Sequence, residues 1–279
     1  MKTNRCVRIL LRACLVAALA LTLPAPLCQA QPSFAEFDKR ARAGEHLNVV
    51  FFGASLTWGA NATAPNLTSY RAQTADALRE RYPEAHFRFF DAAIGGTGSQ
   101  LGVFRFERDV MQRDPDLIFL DFSANDDIHS ANPETMASYE SLVRRAVREA
   151  ECPLVIVLFP FKWNIAKGDT KGMKGRDGHL EIAKAYNVPV GDAIVLAQKR
   201  VREGPITVDA MYPADAVHPG DRGYAVFADA AMQGFVKGVE DKVVCQAPER
   251  MLHAATYMRH TRKPLATLPR LPAGWRKGR

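Results

Sequence analysis

Five short apolar runs, at residues 47–52, 87–90, 117–122, 154–159 and 188–190, constrain this chain more than any other feature. They are rich in Val, Ile, Leu and Phe and lack clean polar–apolar alternation. A strand with one wet face alternates, whereas a strand covered on both faces reads as a continuous apolar stretch. Segments with helical spacing separate the runs. Residues 70–82 place Ala72, Ala75, Leu78 and Tyr82 on one side before Pro83 stops them. Residues 132–150 do the same with Met136, Tyr139, Leu142, Val143 and Ala146. Further helices are expected over about 101–111, 179–186, 193–201 and 221–239, the last capped by Asp221, with a long basic loop over 161–178. Strand and helix alternate throughout, so the chain is expected to form an α/β fold. Its form is a three-layer α/β/α sandwich around a five-stranded parallel sheet.

In such sheets ligands gather beyond the carboxyl ends of the strands. The first strand is followed by Gly53-Ala54-Ser55-Leu56-Thr57-Trp58-Gly59. This is not a Gly-x-Ser-x-Gly elbow, because position 57 is Thr, nor a phosphate loop, because no Gly-Lys-Ser/Thr follows. It still presents Ser55 where a nucleophile can face solvent. Gly95-Gly96-Thr97-Gly98 follows the second strand, where glycine lets a backbone N–H approach a ligand. Ser123-Ala124-Asn125-Asp126 follows the third, and an asparagine amide there can donate to a developing oxyanion. Before the last helix comes Asp215-Ala216-Val217-His218-Pro219. A carboxylate three residues ahead of a histidine can turn back to its Nδ1–H and leave Nε2 free to take a proton. Taken singly, each block is also compatible with a turn or a cap. Among the other histidines, His46, His86 and His179 are expected at the surface, His129 near Asn125, and His253 and His260 in the tail.

The order of these blocks resembles the SGNH, or GDSL-like, hydrolases over about residues 47–240. The resemblance implies a flavodoxin-like fold. It implies Ser55 as nucleophile, His218 as base and Asp215 as the group orienting it, with oxyanion donors from Ser55, Gly96 and Asn125. Spacing after the strand selects Gly96 over Gly95. Two positions depart from the pattern. Ala54 stands in place of the usual acid of the first block, and Ser123 in place of the usual glycine of the third. Neither removes a reacting group. The implied activity is a serine carboxylic ester hydrolase acting without metal or organic cofactor on acetyl or other short acyl esters of carbohydrates or small molecules. Lipase, lysophospholipase or thioesterase activity, or a non-catalytic carbohydrate- or envelope-binding module, are the alternatives.

Residues 1–30 carry Lys2, Arg5, Arg8 and Arg12, then an apolar run from Ala13 to Leu23, then Pro24, Pro26 and small Ala30. That order is a secretory signal, and its apolar run is too short to span a bilayer. The expected organisation is thus a signal peptide (1–30), a hydrolase domain (31–245) and a basic, solvated extension (246–279), with a secreted or periplasmic location. The formal charge of +7 misleads about partners. Once four basic residues of the leader, and eight basic and one acidic of the tail, leave the totals of 37 and 30, residues 31–245 keep 25 basic against 29 acidic. A body with a net charge of −4 argues against nucleic acid as partner, and the partner that the resemblance implies is a small-molecule or polysaccharide ester. The basic loop over 161–178 could favour anionic sugars or simply be solvated. After the leader only Cys152 and Cys245 remain, a candidate disulfide or two buried thiols.

Overall fold

A computed structural model describes residues 32–204, 206–261, 263, 267–271 and 273–276. The expected signal segment lies outside the described residues. The chain runs α1 (Phe34–Arg42), β1 (His46–Gly53), α2 (Ser55–Trp58), α3 (Pro65–Thr68), α4 (Tyr70–Arg81), β2 (His86–Ala93) and α5 (Ser99–Asp109). Next come β3 (Leu117–Leu120), α6 (Pro133–Arg148), β4 (Leu154–Leu158), α7 (Lys162–Ala166), α8 (Lys174–Ala185) and β5 (Val190–Asp192). Helices α9 (Ala193–Glu203), α10 (Val208–Met211) and α11 (Asp221–Glu240) complete it, with short 3-10 turns at Met111–Arg113 and Ala255–Met258.

The strands form one parallel sheet, as the apolar runs require, and their order is β2-β1-β3-β4-β5. Strands β3 and β4 are buried along their whole length, while edge strand β2 is only partly covered. Helices α5, α6 and α8 cover one face, and α1, α4 and α11 the other. Aromatic rings fill the space between layers. Phe51 stacks on Phe119 at 5.1 Å and Phe159 on Phe227 at 4.5 Å.

Some elements differ from the sequence expectation. Helix α1 is not among the expected elements, although Ser33 caps it and Phe34, Phe37 and Ala41 bury its inner face. The expected loop over 161–178 contains α7 and the first turn of α8. Its cations are largely paired, Lys162 with Asp209 at 2.7 Å and Arg176 with Asp192 at 2.5 Å, which weakens the anionic-sugar reading of that segment. Gly220, not Asp221, precedes the first residue of α11 as its cap.

The chain past α11 is docked rather than solvated along much of its described length. Val244 bridges Ser33, and the Arg144 guanidinium donates to Pro248 O at 2.8 Å. The buried Glu140 carboxylate accepts from Leu252 N at 2.8 Å and His253 N at 2.7 Å. Cys152 and Cys245 stand as free thiols, both buried, and burial raises both so that neither is a ready nucleophile.

Candidate active site

Strand β1 must end in glycine, because a Cβ at position 53 would lie 2.6 Å from Asp121 O and 2.1 Å from Thr57 Oγ1. The chain then turns through buried Ala54 into α2, whose first residue is Ser55. A helix's first N–H has no intrahelical acceptor, so the amide of Ser55 is open to a ligand. Gly59, at φ 94°, ends α2 after one turn. His218 lies just ahead of α11, at the carboxyl end of the sheet. Its Nε2 is 3.1 Å from Ser55 Oγ and its Nδ1 is 3.2 Å from Asp215 Oδ2. Asp215 turns back as its spacing suggests, and Oδ1 accepts the N–H groups of Val217 at 2.7 Å and His218 at 2.6 Å. Partial burial works to raise the Asp215 pKa. The two backbone N–H groups, Asn61 and His218 outweigh it and hold the carboxyl well below the usual carboxylate range. It is therefore an anion facing Nδ1, which fixes the tautomer that leaves Nε2 as acceptor.

Gly95 and Gly96 turn beside Ser55. A Cβ at 95 would meet the Ser55 Cβ at 3.7 Å, whereas nothing lies within 4 Å of one at 96, where φ is 71°. Two residues on, Gly98 packs on the Asn125 turn, and Ser99 N–H donates to Asp126 Oδ1 at 2.8 Å. The second and third blocks are thereby tied together next to the first. Among the described residues no hydrogen bond occupies the side-chain amide of exposed Asn125. Ser123, the substitute for glycine, is buried and accepts Phe159 N–H at 3.0 Å, so the departure is absorbed by the link from β3 to β4.

The model of the GDSL-like Lipase/Acylhydrolase family matches residues 51–226. The chain belongs to that family. The comparison with curated proteins returned no match. Among solved structures, this GDSL-like protein is similar to a two-domain esterase active on acetylated mannans, at 30% identity and TM-score 0.67, over 79% of this chain and 57% of that one. The same esterase co-crystallised with mannopentaose gives 30% identity and TM-score 0.65, over 79% and 58%. The chain thus spans less than two thirds of the length of that esterase. The acetylxylan esterase Axe2 from Geobacillus stearothermophilus, at 20% identity and TM-score 0.56 over 68% of this chain and 94% of that one, shares the fold.

Around Ser55, His218 and Asp215 this GDSL-like protein carries residues that the sequence did not single out. Asn61 Nδ2 donates to Asp215 Oδ2 at 2.8 Å from a backbone with φ 67°. Beneath Ser55, Thr57 Oγ1 donates to buried Asp121 Oδ2 at 3.0 Å. The buried Arg105 guanidinium donates to Gly53 O at 2.7 Å and Ala92 O at 2.6 Å, tying together the ends of β1 and β2. His179, expected at the surface, is instead fully buried, with Nδ1 2.6 Å from Gly175 O and its ring edge-on to Tyr139. Burial lowers its pKa to about 4, so it stays neutral and structural. His129 is at the rim, where its Nε2 meets Asn164 Nδ2 at 2.9 Å.

Proposed function

We propose that this chain removes acetyl or other short acyl groups from carbohydrate through an acyl–Ser55 intermediate. The file of hydrogen bonds from Asp215 through His218 to Ser55, at 3.2 Å and 3.1 Å, carries this reading. In the first step Ser55 Oγ bonds to the ester carbonyl carbon as its proton passes to His218 Nε2. The oxyanion meets the N–H groups of Ser55 and Gly96 and the amide of Asn125, each donor of this kind being worth about 10²–10³ in rate. The C–O bond to the sugar then breaks, and His218 returns the proton to the leaving hydroxyl. Water attacks the acyl carbon, giving one proton to His218, which passes it to Ser55 Oγ as that bond breaks, and the freed carboxylic acid releases its own proton to solvent. The anionic Asp215 stabilises the imidazolium in both halves.

Carbohydrate is favoured by two observations. The structural neighbour at 30% identity is an esterase active on acetylated mannans. The rim also offers flat aromatic faces: Trp58 on the nucleophile helix is 50% exposed, and Trp163 is 47% exposed. Trp163 sits beside Lys162, whose N–H is held by Ala216 O at 2.9 Å, within the Asp215–His218 segment. Such faces suit the apolar faces of pyranose rings. The signal-like leader suits an extracytoplasmic polymer. Among the described residues no helix is long and apolar enough to cross a membrane.

Ser55→Ala is expected to abolish acetate release from acetylated mannan and xylan oligosaccharides and turnover of p-nitrophenyl acetate, with an unchanged circular dichroism spectrum. Retained turnover would overturn the nucleophile. Trp163→Ala is expected to raise KM for the oligosaccharides and leave p-nitrophenyl acetate untouched. A rate that grows with acyl length, unaffected by this change, would favour a lipase instead.

A further inference from the structure

The carboxylate that faces His218 is open to solvent, the Asp215 side chain being 45% exposed. Water competes for every lone pair of an exposed carboxylate, so packing cannot hold its orientation and hydrogen bonds must. The backbone N–H groups of Val217 and His218 take Oδ1. Oδ2, the oxygen that faces the imidazole, has one other protein partner among the described residues, the Asn61 amide at 2.8 Å. The same Nδ2 lies 3.4 Å from His218 O, so one side chain touches both the carboxylate and the backbone of the residue it orients.

Asn61 is itself held in place. Tyr224 OH donates to Ala60 O at 2.7 Å on one side. On the other, Thr63 N and Oγ1 donate to the two oxygens of Asp221 at 2.9 and 2.5 Å. These bonds join the segment after the nucleophile helix to the first turn of α11, the two elements whose spacing sets the Ser55–His218 gap. The backbone of Asn61 adds a second sign. Its φ of 67° is left-handed, a conformation that glycine adopts at no cost, while an asparagine there spends conformational energy to keep a side chain.

We infer that Asn61 is a positioning residue of the reaction, a fourth member of the file that holds Asp215 Oδ2 on the His218 Nδ1–H. This rests on the acyl–Ser55 reading and extends it. A carboxylate oxygen has lone pairs for both donors, so the amide steadies Oδ2 without displacing the imidazole. Without it Oδ2 turns toward water, the imidazole loses its fixed tautomer for part of the time, and fewer encounters are productive.

Asn61→Gly separates this role from a merely structural one, because it removes the amide while relieving the backbone. The melting temperature is expected to change little, because relief at φ 67° offsets the freedom glycine gives the unfolded chain and water replaces the exposed amide at Asp215. The kcat on p-nitrophenyl acetate is expected to fall about ten- to hundredfold with KM nearly unchanged, the size set by one hydrogen bond to a charged group. Asn61→Asp, which places a second carboxylate against Asp215, is expected to lose more than Asn61→Gly. The downfield proton resonance of the His218 Nδ1–H is expected to sharpen in the parent and broaden into exchange with water in Asn61→Gly. Full kcat in Asn61→Gly, beside an inactive Ser55→Ala, would overturn the positioning role and leave the nucleophile standing. Activity in Ser55→Ala would overturn the underlying reading itself. A kcat that merely tracks the melting temperature across the variants would also overturn the inference.

Discussion

Asp121 and Asp126 lie buried near Ser55, and among the described residues Asp121 Oδ1 and Asp126 Oδ2 have no hydrogen-bond partner. Burial raises both to about 7, and Asp121 is pushed further by the charge of Asp126. An unfolded aspartate titrates near 3.8, so between about 4 and about 7 the native state binds more protons than the unfolded one. Stability is expected to fall as pH rises through that window and to level off above it. Asp126→Asn cannot ionise and still offers Oδ1 to Ser99 N–H. Its urea midpoint is therefore expected to drop less than the parent's between about pH 5 and about pH 8. An equal drop in both proteins would assign the loss to other groups. The convergence of Ser55, His218 and Asp215 was legible where spacing carries it: Asp215 and His218 are three apart, and the glycine and asparagine blocks follow strands. Asn61, Asp121 and Arg105 were not, because each acts across a fold that joins residues 52 to 154 positions apart, and nothing local marks them.

Helix α6 shows how an element recruits distant chain. Its inner side was readable from Met136, Tyr139, Leu142, Val143 and Ala146, all buried. Its other side carries Glu140, a buried carboxylate satisfied by Tyr186 OH at 2.8 Å and by the N–H groups of Leu252 and His253. No rule about helix periodicity predicts that a carboxylate will be covered by a Pro-rich tail, so the extension reads as solvated until the partner is seen. Truncation after Gln246 removes the N–H groups of Leu252 and His253 from Glu140 and the carbonyls of Pro248 and Glu249 from Arg144, hydrogen bonds to charged groups each worth about 1.5–3 kcal/mol before water replaces most of it. A net loss of about 3 kcal/mol corresponds to a melting temperature roughly 6–12 °C lower. Turnover of p-nitrophenyl acetate by the folded protein is expected to be unchanged, since Glu140 has no bond to the site. An unchanged melting curve would show that the strap contributes nothing. Helix α8 makes the complementary point. Its glycines argue against helix by propensity, yet burial of His179, Ile182 and Ala183 decides for it.

At the scale of the whole molecule, the sheet and the site are connected through α11. This helix begins beside His218 and lies along β4 and β5, and its contact with β5 is close enough to need glycine on both elements. A Cβ at position 234 would lie 2.7 Å from Gly191 N, 2.8 Å from Val155 Cγ1 and 2.9 Å from Val190 C. Gly234→Ala sets two effects against each other. Helix propensity favours alanine by about 1 kcal/mol. Overpacking costs about 1–3 kcal/mol, and here two of the three clashing atoms are backbone of a central layer that cannot swing away. The clash should win, lowering the melting temperature by a few degrees. The helix can relieve it only by lifting from the sheet, and its first turn holds the loop after Ser55 through Asp221 to Thr63 and Tyr224 to Ala60. Lifting therefore widens the Ser55–His218 gap. Misplacement of reacting groups by about 1 Å can cost about 10² in rate. Measured where the variant is fully folded, kcat is expected to fall at least several-fold with little change in KM. A variant that melts earlier yet keeps its full kcat would show that the site is decoupled from the packing of α11, and that the loop bonds alone keep His218 on Ser55.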